Sequence, residues 1–333
     1  MSELRLNVVT KEWVIIAPDR ASRPHDHKRQ TSPPPPPFMA SCPFCPGNEA
    51  MTTKEVFRLD GNDGEWITRV VPNKFPVLTN GTSLPAHHHE GLNHTVEGVG
   101  CHEVIIETPR HDLSIALMPL DHVRTIVATY RDRYNACRND PRIAHVLLFK
   151  NHGAGAGTSL IHPHAQLIGT PVISYQVRDR IRTMEEHTAL YGECVVCRMI
   201  RDELAHQARV LYTNGSFVAM IPYAALSRFH IWIFPLRHIA HFGDMIDQEV
   251  SAFADVLRVL MRQLYYGLDD PDYNYVVRSA PRTCTHEEFH WYLSIVPRVA
   301  QAAGFELGSG IYVNPSYPEA SAALLRDAPV PRG

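Results

Sequence analysis

The segment Gly153-Ala-Gly-Ala-Gly157-Thr158-Ser159-Leu-Ile-His162-Pro-His164-Ala-Gln166 sets a glycine-rich turn directly before two histidines and a glutamine that alternate along an apolar run. Read as a strand over Leu160 to Ile168, a period of two projects His162, His164 and Gln166 from one face and Ile161, Ala165 and Leu167 from the other. Small residues let backbone N–H groups converge on an anion, with the Thr158 and Ser159 hydroxyls beside them. A neutral imidazole next to such a cradle can attack an α-phosphorus in line, which forms a covalent nucleotidyl-histidine and divides one transfer into two ping-pong steps. His164 is the expected nucleophile. Gln166, Ser159 and the Gly155–Thr158 backbone are the expected donors to the charged oxygens, and an acceptor, expected to be a backbone carbonyl, must hold the other ring nitrogen of His164.

Two Cys-x-x-Cys pairs, Cys42/Cys45 and Cys194/Cys197, stand at matching points in the two halves of the chain. One such pair alone also suits a redox dithiol. Here each is followed at a distance by an apolar strand, a turn (Pro109-Arg-His111 or Pro235-Leu-Arg-His238) and a helix. Cys42, Cys45, His111 and His162 therefore align with Cys194, Cys197, His238 and His290, an internal duplication. Cys2His2 is the ligand set of a closed, structural zinc site, so about two zinc ions per chain are expected. The remaining cysteines, Cys101, Cys137 and Cys284, read as ordinary buried thiols. In the same alignment His164 falls against Tyr292 and Gln166 against Ser294, and Ser279-Ala-Pro-Arg-Thr-Cys-Thr replaces the glycine-rich turn. Only the first half is expected to be catalytic.

The elements that must position these groups are short. β-rich runs lie at Glu65–Val71, Glu103–Glu107, His145–Phe149 and Leu160–Ile168, with a helix from Asp121, its expected N-cap, to Cys137. The second half repeats the order: strands at Phe217–Ile221 and His230–Phe234, a helix from Asp247 to Tyr266, then strands at Tyr273–Arg278 and Glu288–Val296. The pattern is α+β, a mixed sheet with helices on one face. Arg20 to Phe38 is polar and ends in five prolines, Pro33 to Pro37, a surface arm. Arg20 and Arg23 on that arm are candidate phosphate ligands, against the plain alternative of solvated charge. Val71-Pro-Asn73-Lys-Phe75-Pro is a proline-braced turn suited to a base or ribose, although packing accounts for Phe75 equally well. The His87-His-His89 run reads as an exposed loop.

At 333 residues, 44% hydrophobic and 20% charged, the chain can bury one large or two medium cores. A net charge of −3 without a basic block argues against a nucleic-acid partner. No apolar run approaches a membrane span, and the first residues lack a signal-peptide layout, so a cytoplasmic protein without a membrane partner is expected.

His162-Pro-His164-Ala-Gln166, the preceding Phe149-Lys-Asn151-His-Gly-Ala-Gly-Ala-Gly157-Thr158-Ser159, Cys42-x-x-Cys45 and His102-Glu-Val-Ile-Ile-Glu-Thr-Pro-Arg-His111 resemble the galactose-1-phosphate uridylyltransferase family, duplicated members of the histidine-triad superfamily. The likeness runs over nearly the whole chain. It implies duplicated histidine-triad-like domains, 1–172 catalytic and 173–333 degenerate, in a mostly antiparallel sheet with helices packed on one face. It also implies that His164 takes the nucleotidyl group, that Cys42, Cys45, His111 and His162 bind zinc, and that Arg20, Arg23, Asn73, Asn151, Gly157, Thr158, Ser159 and Gln166 hold the nucleotide. Gly304-Phe305-Glu306 matches the family's hexose-phosphate segment, which in known members reaches across a dimer interface; a homodimer is the implied assembly.

Three positions depart from the familiar pattern: Ala165 replaces a glycine, and Ser294 and Val296 replace a His-x-His metal site. The second Cys-x-x-Cys, Pro-Leu-Arg-His238, His290-Trp and the run from Gly304 to Asn314-Pro instead look like ADP-glucose phosphorylase, a relative with two zinc sites. The expected activity is uridylyl transfer from UDP-glucose to galactose 1-phosphate, in galactose metabolism. Its alternative is adenylyl transfer from ADP-glucose to phosphate, and a zinc-stapled nucleotide-binding protein without turnover is a third reading.

Overall fold

The computed structural model describes residues 1–22, 35–62, 64–285, 289–299 and 302–331. Arg23 and the first two prolines of the run lie outside the described residues. In chain order the strands and helices are β1 (Glu3–Leu6), β2 (Trp13–Ile16), β3 (Phe57–Asp60), β4 (Trp66–Pro72), β5 (His87–Glu90), β6 (Asn93–Val96), β7 (Cys101–Ile106), α1 (Leu120–Arg138), β8 (His145–His152) and β9 (His164–Thr170). They continue with α2 (Tyr175–Tyr191), α3 (Val195–His206), β10 (Val210–Thr213), β11 (Phe217–Met220), β12 (Ile231–Pro235), α4 (Asp247–Leu268), β13 (Tyr273–Arg278), β14 (Tyr292–Pro297), α5 (Gly304–Ser309), β15 (Tyr312–Asn314) and α6 (Pro318–Arg326).

One antiparallel sheet of ten strands runs β10-β11-β12-β14-β13-β8-β9-β7-β4-β3. Followed inward from either edge it gives the same series: three strands, a helix (α1 or α4), then two strands. The two series meet where β8 pairs with β13, in the register Tyr273↔His152 through Val276↔Phe149. A separate sheet, β1-β2-β15, and the hairpin β5-β6 complete the strands.

Alternation sets the two faces of the large sheet. Ala165 and Leu167 of β9, Val146 and Leu148 of β8, and Leu293 and Ile295 of β14 point into a core shared with α1 (Val123, Ile126, Val127, Tyr130, Tyr134), α4 (Phe253, Leu257, Leu260, Leu264) and α6 (Ala322, Leu325). Each large apolar side chain buried there stabilises the fold by about 1.5–3 kcal/mol, so this shared core holds both halves as one body. The opposite face is covered in two pieces. Cys42, Phe44 and Cys45 lie over Val71, Val104 and Ile106 in the first half. In the second, Met184 of α2 with Val195, Val196 and Ile200 of α3 lies over Val218, Trp232, Phe234 and Tyr292.

Several expectations change in detail. The His162 strand begins only at His164, because the preceding Leu160–Pro163 segment turns to meet the 42–45 loop. α1 is preceded by Pro119, and Asp121 lies inside its first turn, where its charge favours the positive helix end. Cys101 and Cys137 are not separate thiols: they form a disulfide between the start of β7 and the end of α1, and Cys284 is half-buried rather than buried. The His87–His89 run is a strand of a hairpin rather than a loop.

Candidate functional site

His162 and His111 are brought together from segments far apart in sequence, and they meet Cys42 and Cys45 in a buried cluster whose four ligand atoms lie within 4.8 Å of one another. The His162 Nε2–H donates to the Thr108 carbonyl at 2.8 Å, which leaves Nδ1 to face His111 Nδ1 at 3.3 Å and Cys45 Sγ at 3.6 Å; His111 Nδ1 stands 3.5 Å from the same sulfur. A tetrahedral ion with ordinary zinc bond lengths separates two nitrogens by about 3.3 Å and a nitrogen from a sulfur by about 3.6 Å. The donor set therefore fits one four-coordinate ion. Burial also holds the His162 imidazole down to about 4, so it is neutral and its lone pair is available near neutral pH.

The second half repeats this geometry with Cys194, Cys197, His238 and His290. His290 Nε2–H donates to Pro235 O at 2.9 Å, while its Nδ1 and that of His238 stand 3.5 and 3.4 Å from Cys197 Sγ. Either cluster could hold a metal ion.

His164 opens β9 on the face away from α1 and α4. Its Nδ1–H donates to the carbonyl of His162 at 2.8 Å, so the acceptor expected from sequence is a backbone group two residues earlier. This fixes the tautomer and leaves Nε2 without a protein partner among the described residues, yet not sealed from solvent. Phe44 lies edge-on against the ring at 5.4 Å. Burial, aided by the nearby Lys150 ammonium, holds the imidazole below its ordinary value.

Gln166 follows on the same face, and its partner is a residue the sequence reading left unassigned. His102 on β7 accepts the Val77 backbone N–H at Nδ1 (3.2 Å), so the proton sits on Nε2 and is donated to Gln166 Oε1 at 2.8 Å. Asn73 Nδ2 reaches the same oxygen at 3.4 Å. With its carbonyl oxygen held twice, Gln166 must present its amide N–H groups elsewhere. Asn151 lies on the adjoining strand, where Asn274 of the second half donates to its Oδ1 at 2.8 Å and to Ala156 O at 2.8 Å.

The glycine-rich turn differs from an open anion cradle. Gly155 N donates to Asp272 Oδ2 at 2.6 Å, and the amides of Ala156, Gly157 and Thr158 close on Gly153 O, Ala154 O and Gly153 O. The expected Gly155–Thr158 backbone donors are thus already engaged, and the Thr158 hydroxyl donates to Leu160 O. Ser159 is exposed and keeps its hydroxyl unpaired among the described residues. Glycine is required at 153, where φ is +83° and a Cβ would sit 1.8 Å from the Asp272 carboxylate.

Behind the strand, Lys150 lies on the helix side of β8 and is fully buried. Its ammonium donates to Glu107 Oε2 at 2.5 Å and to the backbone carbonyl of His164 at 3.1 Å. Tyr130 donates to the other Glu107 oxygen and contacts Tyr275 of the second half at 2.7 Å. Glu107 N also bonds Pro163 O at 3.1 Å. The His162–His164 segment is therefore held at three points: the His162 ring by Thr108 O, Pro163 O by the Glu107 amide, and His164 O by Lys150, itself paired with Glu107.

At the corresponding place in the second half stand Tyr292, Ser294 and His230, with His230 Nε2 2.9 Å from Ser294 Oγ. No imidazole occupies the His164 position there. Arg20 lies exposed beyond β2, and Phe305 and Glu306 open the short α5 beside β15. Glu306 caps its own helix through Ala303 N at 3.0 Å. No hydrogen bond or ring contact among the described residues joins these three to His164.

Comparisons with known proteins bear on the family and the fold. Residues 1–174 match the family described as galactose-1-phosphate uridyl transferase, N-terminal domain, and residues 102–328 match a domain of unknown function, DUF4921. The chain is 34% identical to ADP-glucose phosphorylase of Arabidopsis thaliana over 98% of its own length and 92% of the relative. It is 25% identical to galactose-1-phosphate uridylyltransferase of Thermotoga maritima over 99% of each. The crystal structure of the Arabidopsis thaliana ADP-glucose phosphorylase with bound ADP-glucose matches at a TM-score of 0.84 and 31% identity, over 98% of this chain and 99% of that one. A uridylyltransferase structure matches at 0.75 and 25%, over 98% and 97%. Family and relatives make the chain a nucleotidyltransferase, and no described helix is long and apolar enough to cross a membrane. The chain belongs to the galactose-1-phosphate uridylyltransferase family.

Proposed function

We propose that the protein moves a nucleoside monophosphate from a nucleoside diphosphate hexose to a phosphate-bearing acceptor through a covalent adduct on His164. The observation that carries this reading is the His164 ring itself, neutral, with Nδ1 tied to His162 O and Nε2 without a partner among the described residues. In the first step Nε2 attacks the α-phosphorus, the N–P bond forms, and the bond to the bridging oxygen breaks, releasing hexose 1-phosphate. In the second an acceptor phosphate oxygen attacks the same phosphorus, the N–P bond breaks, and the neutral ring returns. Gln166, its carbonyl held by His102, directs its amide at the α-phosphate oxygens; Asn73, Asn151 and the Ser159 hydroxyl complete the nucleotide site, while Gly157 and Thr158, their own donors engaged within the turn, shape its wall. The backbone bonds of Lys150 and Glu107 keep the strand in place through both steps.

Residues 1–172 form the catalytic half and 173–333 the degenerate one. Zinc in the two Cys2His2 clusters would supply structural cross-links: the first fixes the segment that carries His162 O, and the second serves the same purpose around His290. The 34% identity to ADP-glucose phosphorylase, together with the paired Cys2His2 clusters, favours ADP-glucose as donor and inorganic phosphate as acceptor. Uridylyl transfer to galactose 1-phosphate is the second reading, favoured by the family match over 1–174. In either case a homodimer would bring a second copy's Phe305 and Glu306 to a site they do not reach within one chain.

Mass spectrometry of the protein mixed separately with ADP-glucose and UDP-glucose tests this. An AMP adduct that phosphate discharges as ADP supports the first reading, and a UMP adduct discharged by galactose 1-phosphate supports the second. No adduct with either would overturn covalent transfer.

A further inference from the structure

The hairpin β5-β6 carries four of the chain's histidines and takes no part in the proposed reaction. Its register pairs His89 with His94 and His87 with Val96, so His87, His89 and His94 share one face while His88 points to the other. All four are exposed. His87 Nδ1 and His94 Nε2 lie 3.2 Å apart, and the His89 ring stacks on His94 at 4.1 Å between centroids. That nitrogen–nitrogen gap nearly equals the 3.3 Å between His111 and His162 in the buried cluster, and the spacing of two imidazoles on one transition ion.

We propose that the His87–His94 face of this hairpin is a third metal site, open and labile, for a divalent transition cation that prefers imidazole nitrogen. Copper(II), nickel(II) and zinc(II) have this preference, and water completes the coordination. The position gives the site a consequence. The hairpin continues through Gly98–Gly100, bonded to Thr79, directly into His102, the residue that holds Gln166. A cation clasping the two strands would stiffen the segment between Asn73 and His102. The site does not depend on the proposed reaction, since its ligands are surface residues outside the His164 cluster.

Equilibrium dialysis of the zinc-loaded protein against copper(II), with zinc counted in parallel, tests the proposal. The expected result is one further equivalent of copper bound without loss of zinc, with nitrogen hyperfine structure from imidazole in its electron paramagnetic resonance spectrum. His87→Gln and His94→Gln should each weaken that equivalent by about tenfold or more, and His88→Gln should leave it unchanged. The proposal is overturned if no further equivalent binds, if the double variant H87Q/H94Q still binds it, or if H88Q weakens it as much as H94Q.

Discussion

His102 and His230 occupy the same place in the two halves and make the same bond, each placing Nε2 against the polar side chain on the neighbouring strand, Gln166 at 2.8 Å and Ser294 at 2.9 Å. In the second half this bond persists where Tyr292 stands in place of His164. In the first half it orients an amide, and in the second it only satisfies a buried ring.

His102→Phe should therefore act through Gln166. Replacing the imidazole with an apolar ring frees the Gln166 carbonyl, and loss of one aimed donor in phosphoryl transfer costs about 10²-fold in kcat. Steady-state kinetics with unchanged metal content would bear this out; an unaltered kcat would show that Gln166 does not need the imidazole.

Lys150→Met leaves the Glu107 carboxylate buried beside Tyr130 without its cation. Breaking such a pair costs about 3–5 kcal/mol, more than replacing both members. Urea unfolding should show the single variant much less stable than wild type, with K150M/E107Q recovering part of the loss.

Metal content should be about two zinc ions per chain by elemental analysis. Cys194→Ser should reduce it to about one and leave adduct formation at His164 intact. Cys42→Ser should lower both, because His162, a member of the same cluster, carries the carbonyl that holds the proposed nucleophile.

Acid should weaken the fold in part through His230. Burial holds this imidazole down to about 3, so the unfolded chain, with an ordinary value of about 6.5, binds the proton first. Its contribution is intact above about pH 6.5 and is lost as pH falls towards 3, at up to about 1.4 kcal/mol per pH unit. His230→Gln should give a shallower fall of unfolding free energy between pH 6 and 4; an unchanged slope would assign acid sensitivity to other groups. By the same sign, the depressed His164 keeps its nucleophile neutral below pH 6.5, so the acid limb of kcat/KM should lie under that of a free imidazole.

The strands that bear chemistry were legible because polar side chains interrupt an apolar period of two, as at His164 and Gln166. The Cys2His2 sets were legible because one pattern of two cysteines and two histidines appears twice in the same order. What escaped notice came from elsewhere in space. Asn274 and Asp272 reach Asn151 and the glycine-rich turn only because β13 pairs with β8, and no spacing within either half reports that pairing. The same contact takes up the Gly155 amide, while the amides of Ala156, Gly157 and Thr158 close on carbonyls within the turn. α2 escaped because its buried residues are few, Val177, Thr183 and Met184, among many charges. The Cys101–Cys137 bond joins residues 36 apart that meet only once α1 packs under β7.

The pairing of β8 with β13 makes each half the other's stopper. Cut between α2 and β9, either five-stranded piece would bare one unsatisfied row of backbone donors and acceptors in mid-sheet, together with half of a greasy floor. A fragment made alone would seek a twin across that raw border, so co-expressed pieces should re-form the native seam in preference to standing apart.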